Sequence, residues 1–366
     1  MAMTLNRRDV MRGMISGAVS LALAQASFAQ FGPDPGVAQL SSNENPYGPS
    51  PKALKAAAQA LHKGAYYPGR ISRDLMNVLA ERRNVSTDNI FLCSGSNEGL
   101  QAAYVAYGKK GKILMPDHTY SVHLGYTNRV GVALARAPMN KDLSINLDAL
   151  ADAVDDSISM VYICNPNNPT GMTLDGDELR NFCRTVGKKA VVVVDEAYNE
   201  LTDDPEYTSV IDLVRDGENV LVLRTFSKIF GMAGLRVGYG IGNPEIKRYV
   251  GGHVMAWPNV VGLAAAHASY MDDEFISFSR GKILEGREIV INTFRKNGIE
   301  PLPSQTNFIY ADIGRDATEF QNKMAEHKVM IRQAYQPYTT YSRVSMGFLE
   351  DLERFDEVFT KVYRSG

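Results

Sequence analysis

The chain has 366 residues and a mass of 40.3 kDa, a size that predicts about two domains. Hydrophobic residues make up 45% of it and charged residues 22%, a globular balance that excludes disordered, collagen-like and coiled-coil chains. The formal net charge is −2, so no excess of positive charge points to a nucleic-acid partner. The three cysteines, Cys93, Cys164 and Cys183, are too few and too widely spaced for a disulfide scaffold or a zinc site, and no metal site is predicted.

Residues 1–29 have the pattern of a signal peptide. Three arginines, including the adjacent Arg7 and Arg8, precede the apolar run Met14–Ala24. A membrane span needs about 20 apolar residues, so this run is too short for a stable membrane anchor. Ser27–Ala29 fits the small-x-small cleavage pattern and makes Gln30 the predicted first residue of the mature chain.

The paired arginines resemble a twin-arginine export signal, a route that carries folded proteins. The sequence therefore predicts an exported, periplasmic protein. Cleavage after Ala26 is the alternative to cleavage after Ala29. A cytoplasmic protein with a disordered basic tail is the other interpretation of these residues.

Beyond the signal peptide, short apolar runs alternate with helical patterns. This alternation predicts an α/β fold whose mostly parallel sheet is covered by helices on both faces. The predicted strands are Ile90–Cys93, Lys112–Met115, Val132–Ala135, Ser159–Cys164, Ala190–Val194, Val220–Leu223 and Val237–Ile241. Helices are predicted over residues 50–63, 120–130, 147–154 and 174–186, and from Asn97 to Tyr107.

The predicted organisation has three parts after the signal peptide. Residues 30–70 form an N-terminal arm and a segment of the small domain. Residues 71–255 form the large domain. From residue 256 to residue 366 the helices become longer and strands fewer, which predicts a smaller C-terminal α+β domain.

Polar residues follow several of the predicted strands, at the sheet edge where ligands of such folds bind. Asp195 follows the apolar run Ala190–Val194, and Lys228 follows Val220–Leu223. Gly95-Ser96-Asn97 opens a helix, where free backbone N–H groups favour an anion. A phosphate site, a carboxylate and a lysine together fit pyridoxal 5′-phosphate (PLP), which carries a phosphate, a protonatable ring nitrogen and an aldehyde.

Six motifs follow one another along the chain: Ser42-Asn43-Glu44-Asn45-Pro46-Tyr47-Gly48-Pro49, Tyr67-Pro68, Asn167-Asn168-Pro169-Thr170-Gly171, Asp195-Glu196-Ala197-Tyr198, Thr225-Phe226-Ser227-Lys228 with Gly234-Leu235-Arg236-Val237-Gly238, and Thr306-Asn307-Phe308. Through these motifs the sequence, from about Leu40 to Phe348, resembles the fold-type I PLP-dependent aminotransferases of class I/II, and within them the histidinol-phosphate aminotransferase branch. The resemblance implies a large domain built on a seven-stranded, mostly parallel sheet.

The resemblance also implies the roles of the cofactor residues. Lys228 is expected to form the Schiff base with PLP and later to move the substrate Cα proton, and Asp195 to pair with the pyridine N–H. Tyr198 and Asn168 are expected at the phenolic oxygen, and Tyr120 on the ring face. The expected phosphate ligands are Ser96, Asn97, Thr225, Ser227, Arg236 and, from the partner subunit of a homodimer, Tyr67.

On the substrate side, the resemblance implies that Arg343 binds the substrate anion and that Arg332 is a second anion-binding arginine. Asn43, Tyr47 and Asn168 are expected to line the same pocket. The predicted function is transfer of an amino group from an amino acid to a 2-oxo acid. The simplest amino donor is a free amino acid, because a histidine-biosynthesis enzyme makes little metabolic sense outside the cytoplasm.

Other outcomes remain open at this point, because the fold does not dictate the reaction. Loss of the Cα proton can also lead to racemisation, oxidation or elimination, so a racemase, an oxidase or a lyase is the alternative. A catalytically silent PLP-binding regulator lacks support, since no helix-turn-helix pattern precedes residue 40. An amino-acid-binding module is the remaining non-enzymatic possibility.

Overall fold

The computed structural model describes residues 32–365, and a seven-stranded sheet forms its centre. The strands, numbered in chain order, are β1 Ala38–Leu40, β2 Ile90–Cys93, β3 Lys112–Pro116, β4 Leu134–Ala137, β5 Ile158–Cys164, β6 Val191–Asp195, β7 Val220–Thr225, β8 Gly238–Gly242, β9 Phe308–Asp312, β10 Val329–Ile331 and β11 Tyr341–Ser345. The central sheet has the order β2-β8-β7-β6-β5-β3-β4. Only β8 runs antiparallel to its neighbours β2 and β7.

The apolar composition of the middle strands explains their position. Every residue of β6, β7 and β8 is buried, as expected where helices cover both faces of a parallel sheet. The prediction of a mostly parallel α/β sheet is confirmed. The strand predicted at Val132–Ala135 lies two residues later, at Leu134–Ala137.

The helices flank this sheet and continue into the C-terminal region. They are α1 Pro51–Ala60, α2 Gly69–Arg83, α3 Ser96–Gly108, α4 Leu124–Thr127, α5 Leu147–Asp152, α6 Gly176–Val186, α7 Ile211–Arg215, α8 Pro244–Gly251, α9 Val260–Tyr270, α10 Asp273–Lys296, α11 Ala317–Glu326 and α12 Leu349–Arg364. Side-chain caps mark several starts, such as Ser50 on Ala53 N and Asp175 on Glu178 N. Within residues 32–365, no helix has both the length and the apolar character needed to span a bilayer.

The helix predicted over residues 120–130 is wrong in extent, because only Leu124–Thr127 is helical. Glycines at 125 and 131 and the β-branched Val130 lower the helical propensity of this stretch, and Gly131 has a φ of 81°. Residues 119–122 instead form a loop whose side chains line the cavity described below.

The C-terminal region has two small sheets. β9 pairs antiparallel with β11, and β10 pairs parallel with β1 of the N-terminal arm. The arm therefore joins the C-terminal region in the fold. The amide of Arg332, directly after β10, donates to the carbonyl oxygen of Arg343 in β11 at 3.2 Å, which fixes the backbones of the two arginines side by side.

A buried ion pair joins the carboxyl ends of β6 and β7. The guanidinium of Arg224 is 1% exposed and donates to Glu196 Oε2 at 2.6 Å. Ser209 Oγ and the amide of Val210 also donate to the Glu196 carboxylate. Because a buried charge is costly unless it is paired, this network holds the two strand ends together. One of these strand ends carries Asp195, and the other continues to Lys228.

Candidate active site

A cavity of about 310 Å³ lies at the carboxyl ends of the parallel strands. Thirteen of the residues predicted from the sequence line it: Asn43, Ser96, Asn97, Tyr120, Asn168, Asp195, Tyr198, Thr225, Ser227, Lys228, Arg236, Arg332 and Arg343. A wider cleft of about 980 Å³ lies at the opposite edge of the sheet, near Ile158 and Val191, and contains none of the predicted site residues. The smaller cavity is therefore the candidate active site.

Two predicted residues lie outside the lining of this cavity. The Tyr47 ring packs against Phe278 and Phe348, and its hydroxyl accepts a hydrogen bond from the amide of Leu349 at 3.1 Å. Tyr67 lies on the surface, 88% exposed, with its ring 5.4 Å from that of Trp257. In a single chain, Tyr67 does not contribute to the cavity.

One end of the cavity fits a phosphate. Helix α3 begins there at Ser96, so its first N–H groups and its dipole favour an anion. The Arg236 guanidinium lies 3.3 Å from Ser227 Oγ, and Thr225 Oγ1 donates to the same oxygen at 2.9 Å. A Cβ on Gly95 would lie 2.2 Å from Arg236 Nη2, so only glycine lets the guanidinium reach this position.

Tyr120 borders the phosphate end. Its hydroxyl donates to Asn97 Oδ1 at 3.3 Å, which ties the ring to the start of helix α3. A flat aromatic ring held in this way fits against the face of a planar cofactor.

Asp195 lies at the end of β6 and has an incomplete set of partners. The carboxyl group is buried, and Oδ1 has no hydrogen-bond partner within residues 32–365. The Tyr162 hydroxyl lies 3.5 Å from Oδ2. Burial raises the pKa of Asp195 to about 7. A buried, unpartnered oxygen in a cavity wall fits an N–H donor such as a protonated pyridine nitrogen.

Lys228 lies in the same wall, with Nζ donating to the carbonyl oxygen of Asn43 at 2.8 Å. Burial, and after it the positive charge of Arg343, lower its pKa to about 8. About half of the side chain is therefore a neutral amine at pH 8, and a smaller fraction at pH 7. That is the form needed for attack on an aldehyde and for acceptance of a proton.

Tyr198 contacts two asparagines that line the cavity. Its hydroxyl accepts hydrogen bonds from Asn43 Nδ2 at 2.9 Å and from Asn168 Nδ2 at 3.1 Å. Burial raises the pKa of the phenol, so it stays protonated. With two donors on its oxygen, Tyr198 can direct its own proton to an acceptor in the cavity, such as a phenolic oxygen.

The residues present therefore fit PLP. The helix start and Arg236 would hold the phosphate, Asp195 Oδ1 the pyridine N–H, Tyr198 and Asn168 the phenolic oxygen, and Lys228 the aldehyde carbon. The unpartnered Asp195 oxygen supports this fit most directly, because a buried carboxylate oxygen is normally hydrogen-bonded.

The far side of the cavity is cationic. Arg343 is 5% exposed and donates to Asn168 Oδ1 at 2.9 Å and to the carbonyl oxygen of Ser41 at 3.1 Å. Its Nε is buried without a hydrogen-bond partner among the described residues. Arg332 also lines the cavity but is exposed. The Tyr335 ring lies 5.4 Å from the Arg343 guanidinium and 5.7 Å from that of Arg332.

Sequence reasoning missed Tyr335, Glu44 and Tyr162. The signal for Tyr335 was a concentration of tyrosines, at 335, 338 and 341, between the two predicted arginines. Glu44 lies inside a quoted motif, but the motif does not reveal that its side chain borders the cavity. Tyr162 sits in a buried strand and is indistinguishable by pattern from a core aromatic residue.

Comparisons with known proteins agree with this geometry. The family model for aminotransferase class I and II matches residues 35–358. The histidinol-phosphate aminotransferase of Brevibacillus brevis is 34% identical over 330 residues, which cover 89% of this chain and 90% of that protein. Histidinol-phosphate aminotransferase 2 of Pseudomonas fluorescens is 35% identical over 329 residues, 89% of each chain.

Among solved structures, the chain is similar to histidinol-phosphate aminotransferase from Sinorhizobium meliloti in complex with pyridoxal 5′-phosphate. The TM-score is 0.79 and the sequence identity 27%, over 89% of this chain and 90% of that one.

The pKa of Lys228 leads to a prediction about cofactor attachment. The rate at which PLP attaches covalently to the apoprotein should rise with pH and reach half its maximum near pH 8, because only the neutral amine attacks the aldehyde. Stopped-flow absorbance of the lysine-bound cofactor between pH 6 and 10.5 measures this rate.

In Arg343→Gln the midpoint should move to higher pH, since a positive charge that lowers the lysine pKa is gone. A wild-type midpoint close to the ordinary lysine value of 10.5 would contradict the assignment.

Proposed function

The chain belongs to the class I and II aminotransferase family, and we propose that its amino donor is a free α-amino acid whose carboxylate is bound by Arg343. The protein is a PLP-dependent aminotransferase, which passes an amino group from an amino acid to a 2-oxo acid. The observation that carries the choice of donor is the position of Arg343, buried at the base of the cavity next to Asn168 and Tyr198.

The geometry of Arg343 suits a carboxylate. Its planar fork can pair with both oxygens, while Asn168 and Ser41 already fix its orientation. A dianionic phosphate is bound more tightly where two arginines converge on it. Here the Tyr335 ring lies within 6 Å of both guanidinium groups, and Arg332 is exposed whereas Arg343 is buried.

Histidinol phosphate is the second candidate donor. Arg332 lines the same cavity as Arg343, and the relatives from Brevibacillus brevis and Pseudomonas fluorescens are named as histidinol-phosphate aminotransferases. A substrate phosphate that reached past Tyr335 would contact both arginines.

The residues of the chain divide the work of the reaction. When bound, PLP supplies an electron-withdrawing ring that stabilises the charge left by departure of the Cα proton. Asp195 would hold the ring nitrogen protonated, and Arg343 would fix the carboxylate and thereby the Cα–H bond. Lys228, whose amine is partly neutral near pH 8, would accept the Cα proton and, once protonated, would serve as the acid that gives it back.

The donor is tested by half-reactions without oxygen. The holoenzyme is mixed with single L-amino acids or with L-histidinol phosphate, and both loss of the lysine-bound absorbance and formation of the 2-oxo product are followed. A free amino acid should react. Arg343→Gln should lower its kcat/KM about 30- to 150-fold, as expected for loss of about 2–3 kcal/mol of charge-assisted hydrogen bonding.

Arg332→Gln is the matched control and should lower kcat/KM for a free amino acid less than about threefold. Preference of the wild type for histidinol phosphate, with large losses in both variants, would establish the second candidate donor instead.

We further propose that the protein is a homodimer. Five of the large apolar side chains that the fold leaves exposed are Tyr66, Tyr67, Val122, Met255 and Trp257, with exposures of 65–88%. An exposed apolar surface is typical of a contact with another subunit. The Tyr67 ring lies 5.4 Å from that of Trp257, and Val122 lines the cavity. In a dimer that buries this surface, the partner subunit's Tyr67 would complete the phosphate end.

A mixed dimer tests this arrangement. Co-expressed, differently tagged Tyr67→Ala and Lys228→Ala chains are purified as the heterodimer. If Tyr67 acts across the interface, one site regains both residues, and about half of the wild-type activity per dimer returns. If Tyr67 acts within its own chain, both sites stay defective. Tyr66→Ala paired with Lys228→Ala is the control, and a monomeric mass by light scattering would contradict the dimer.

We propose export to the periplasm from the sequence of the first 29 residues. These lie outside the described residues, and the support for the proposal is the Arg7-Arg8 pair, the short apolar run after it and the small residues at Ser27–Ala29.

Expression in a bacterium followed by cell fractionation and N-terminal sequencing should give a periplasmic chain that begins at Gln30. Replacement of both Arg7 and Arg8 by Lys should leave an uncleaved cytoplasmic chain. Wild-type protein that stays uncleaved in the cytoplasm would contradict export.

A further inference from the structure

Tyr162 is a buried residue whose hydroxyl faces Asp195. It lies in β5, beside Val193 of β6, and its side chain is fully buried. Its hydroxyl is 3.5 Å from Asp195 Oδ2, at the long end of hydrogen-bonding distance. The other carboxylate oxygen, Oδ1, has no partner among the described residues and is the one left for the cavity.

The other polar groups near this carboxylate do not replace Tyr162. The backbone amide of Ala197 also lowers the pKa of Asp195. The Cys164 thiol also lies near the Tyr162 hydroxyl, but a buried neutral thiol is a weak acceptor compared with a carboxylate. Tyr162 is therefore the side chain placed to donate a proton to Oδ2.

The ring of Tyr162 is held in place by other aromatic rings. Its centroid lies 5.9 Å from that of Tyr104 and 5.4 Å from that of His123. Both nitrogens of His123 lack hydrogen-bond partners in the described part of the chain, and burial lowers the pKa of this histidine to about 3. The imidazole is thus neutral and brings no competing charge near Asp195, while the packing restricts where the Tyr162 hydroxyl can point.

We propose that Tyr162 is a positioning residue for the cofactor nitrogen, donating to Asp195 Oδ2 so that the carboxylate stays ionised and presents Oδ1 to the cavity. The physical need is clear, because a buried carboxylate loses its hydration and favours the neutral form unless donors compensate it. An Asp195 that carried its own proton would lose the charge that holds the pyridine nitrogen protonated. The inference takes PLP binding as given and does not depend on which amino donor the enzyme uses.

The hydrogen bond to Asp195 is long, so its effect lies at or just below the lower end of the range for a bond to a charged acceptor. Loss of the Tyr162 hydroxyl should weaken PLP binding about five- to tenfold. A cofactor analogue in which a C–H group replaces the pyridine nitrogen makes no ionic contact with Asp195. Its affinity should not depend on Tyr162.

Tyr162→Phe removes one oxygen atom, and Tyr104→Phe is the matched control. Tyr104 is also fully buried and stands beside the same histidine, but its hydroxyl contacts Met115 Sδ at 3.7 Å and not Asp195. Equilibrium dialysis of the full-length apoprotein against PLP and against the analogue gives two dissociation constants for each variant. Tyr162→Phe should weaken PLP binding about five- to tenfold and leave analogue binding within about twofold of wild type, whereas Tyr104→Phe should change neither.

An unchanged PLP affinity in Tyr162→Phe would overturn the proposal, as would an equal loss for PLP and the analogue, since that would show a packing effect. If Tyr162→Phe does not fold, 3-fluorotyrosine at position 162 keeps the shape and makes the phenol a stronger donor. PLP should then bind more tightly than to wild type and the analogue equally well, and any other pattern would refute the assignment.

Discussion

The site depends on how many hydrogen-bond donors reach each of two adjacent carboxylates, Asp195 and Glu196, at the buried end of β6. Both carboxylate oxygens of Glu196 accept hydrogen bonds, from Arg224, Ser209 and the amide of Val210, and this residue links the ends of β6 and β7. Asp195 has a side-chain hydrogen-bond donor on one oxygen alone among the described residues, and its pKa is raised by burial to about 7. Both oxygens of Glu196 thus have hydrogen-bond donors, whereas one oxygen of Asp195 has none within residues 32–365. A buried carboxylate oxygen without a donor can bind a cationic ring nitrogen.

The surrounding architecture follows from this constraint. Parallel strands bring their carboxyl ends to one edge of the sheet. Because β6 and β7 are neighbours, Asp195 at the end of β6 and Lys228 after β7 lie in the same cavity wall. The start of helix α3 after β2 adds the phosphate end of the same cavity. The N-terminal arm contributes Asn43 to the site. Its strand β1 pairs with β10, and Asn43 forms hydrogen bonds with Tyr198 and Lys228. The site residues are thus divided between the edge of the central sheet and a C-terminal region that contributes Arg332 and Arg343.

Much of this could be predicted from the sequence, and the failures have physical reasons. Strand ends in a parallel sheet can be recognised in the sequence because apolar runs stop abruptly at polar residues, as at Asp195 and Arg224. The helix over residues 120–130 was overestimated because glycines and β-branched residues there favour a loop. Tyr162 could not be found, since a buried strand hides which face each residue occupies. Tyr67 was assigned to the phosphate of a neighbouring subunit; it lies on the surface of a single chain, and the assignment stays a prediction.

Arg343 and Lys228 are linked in a way that bears on catalysis itself. Burial is the main cause of the low lysine pKa, and the nearby guanidinium charge is the second. A substrate carboxylate bound to Arg343 offsets that positive charge, so the pKa of the lysine amine must rise when the anion is in place. A higher pKa makes the free amine a stronger base. If Arg343 binds the substrate carboxylate as proposed, the same residue also sets the strength of the base that would accept the Cα proton.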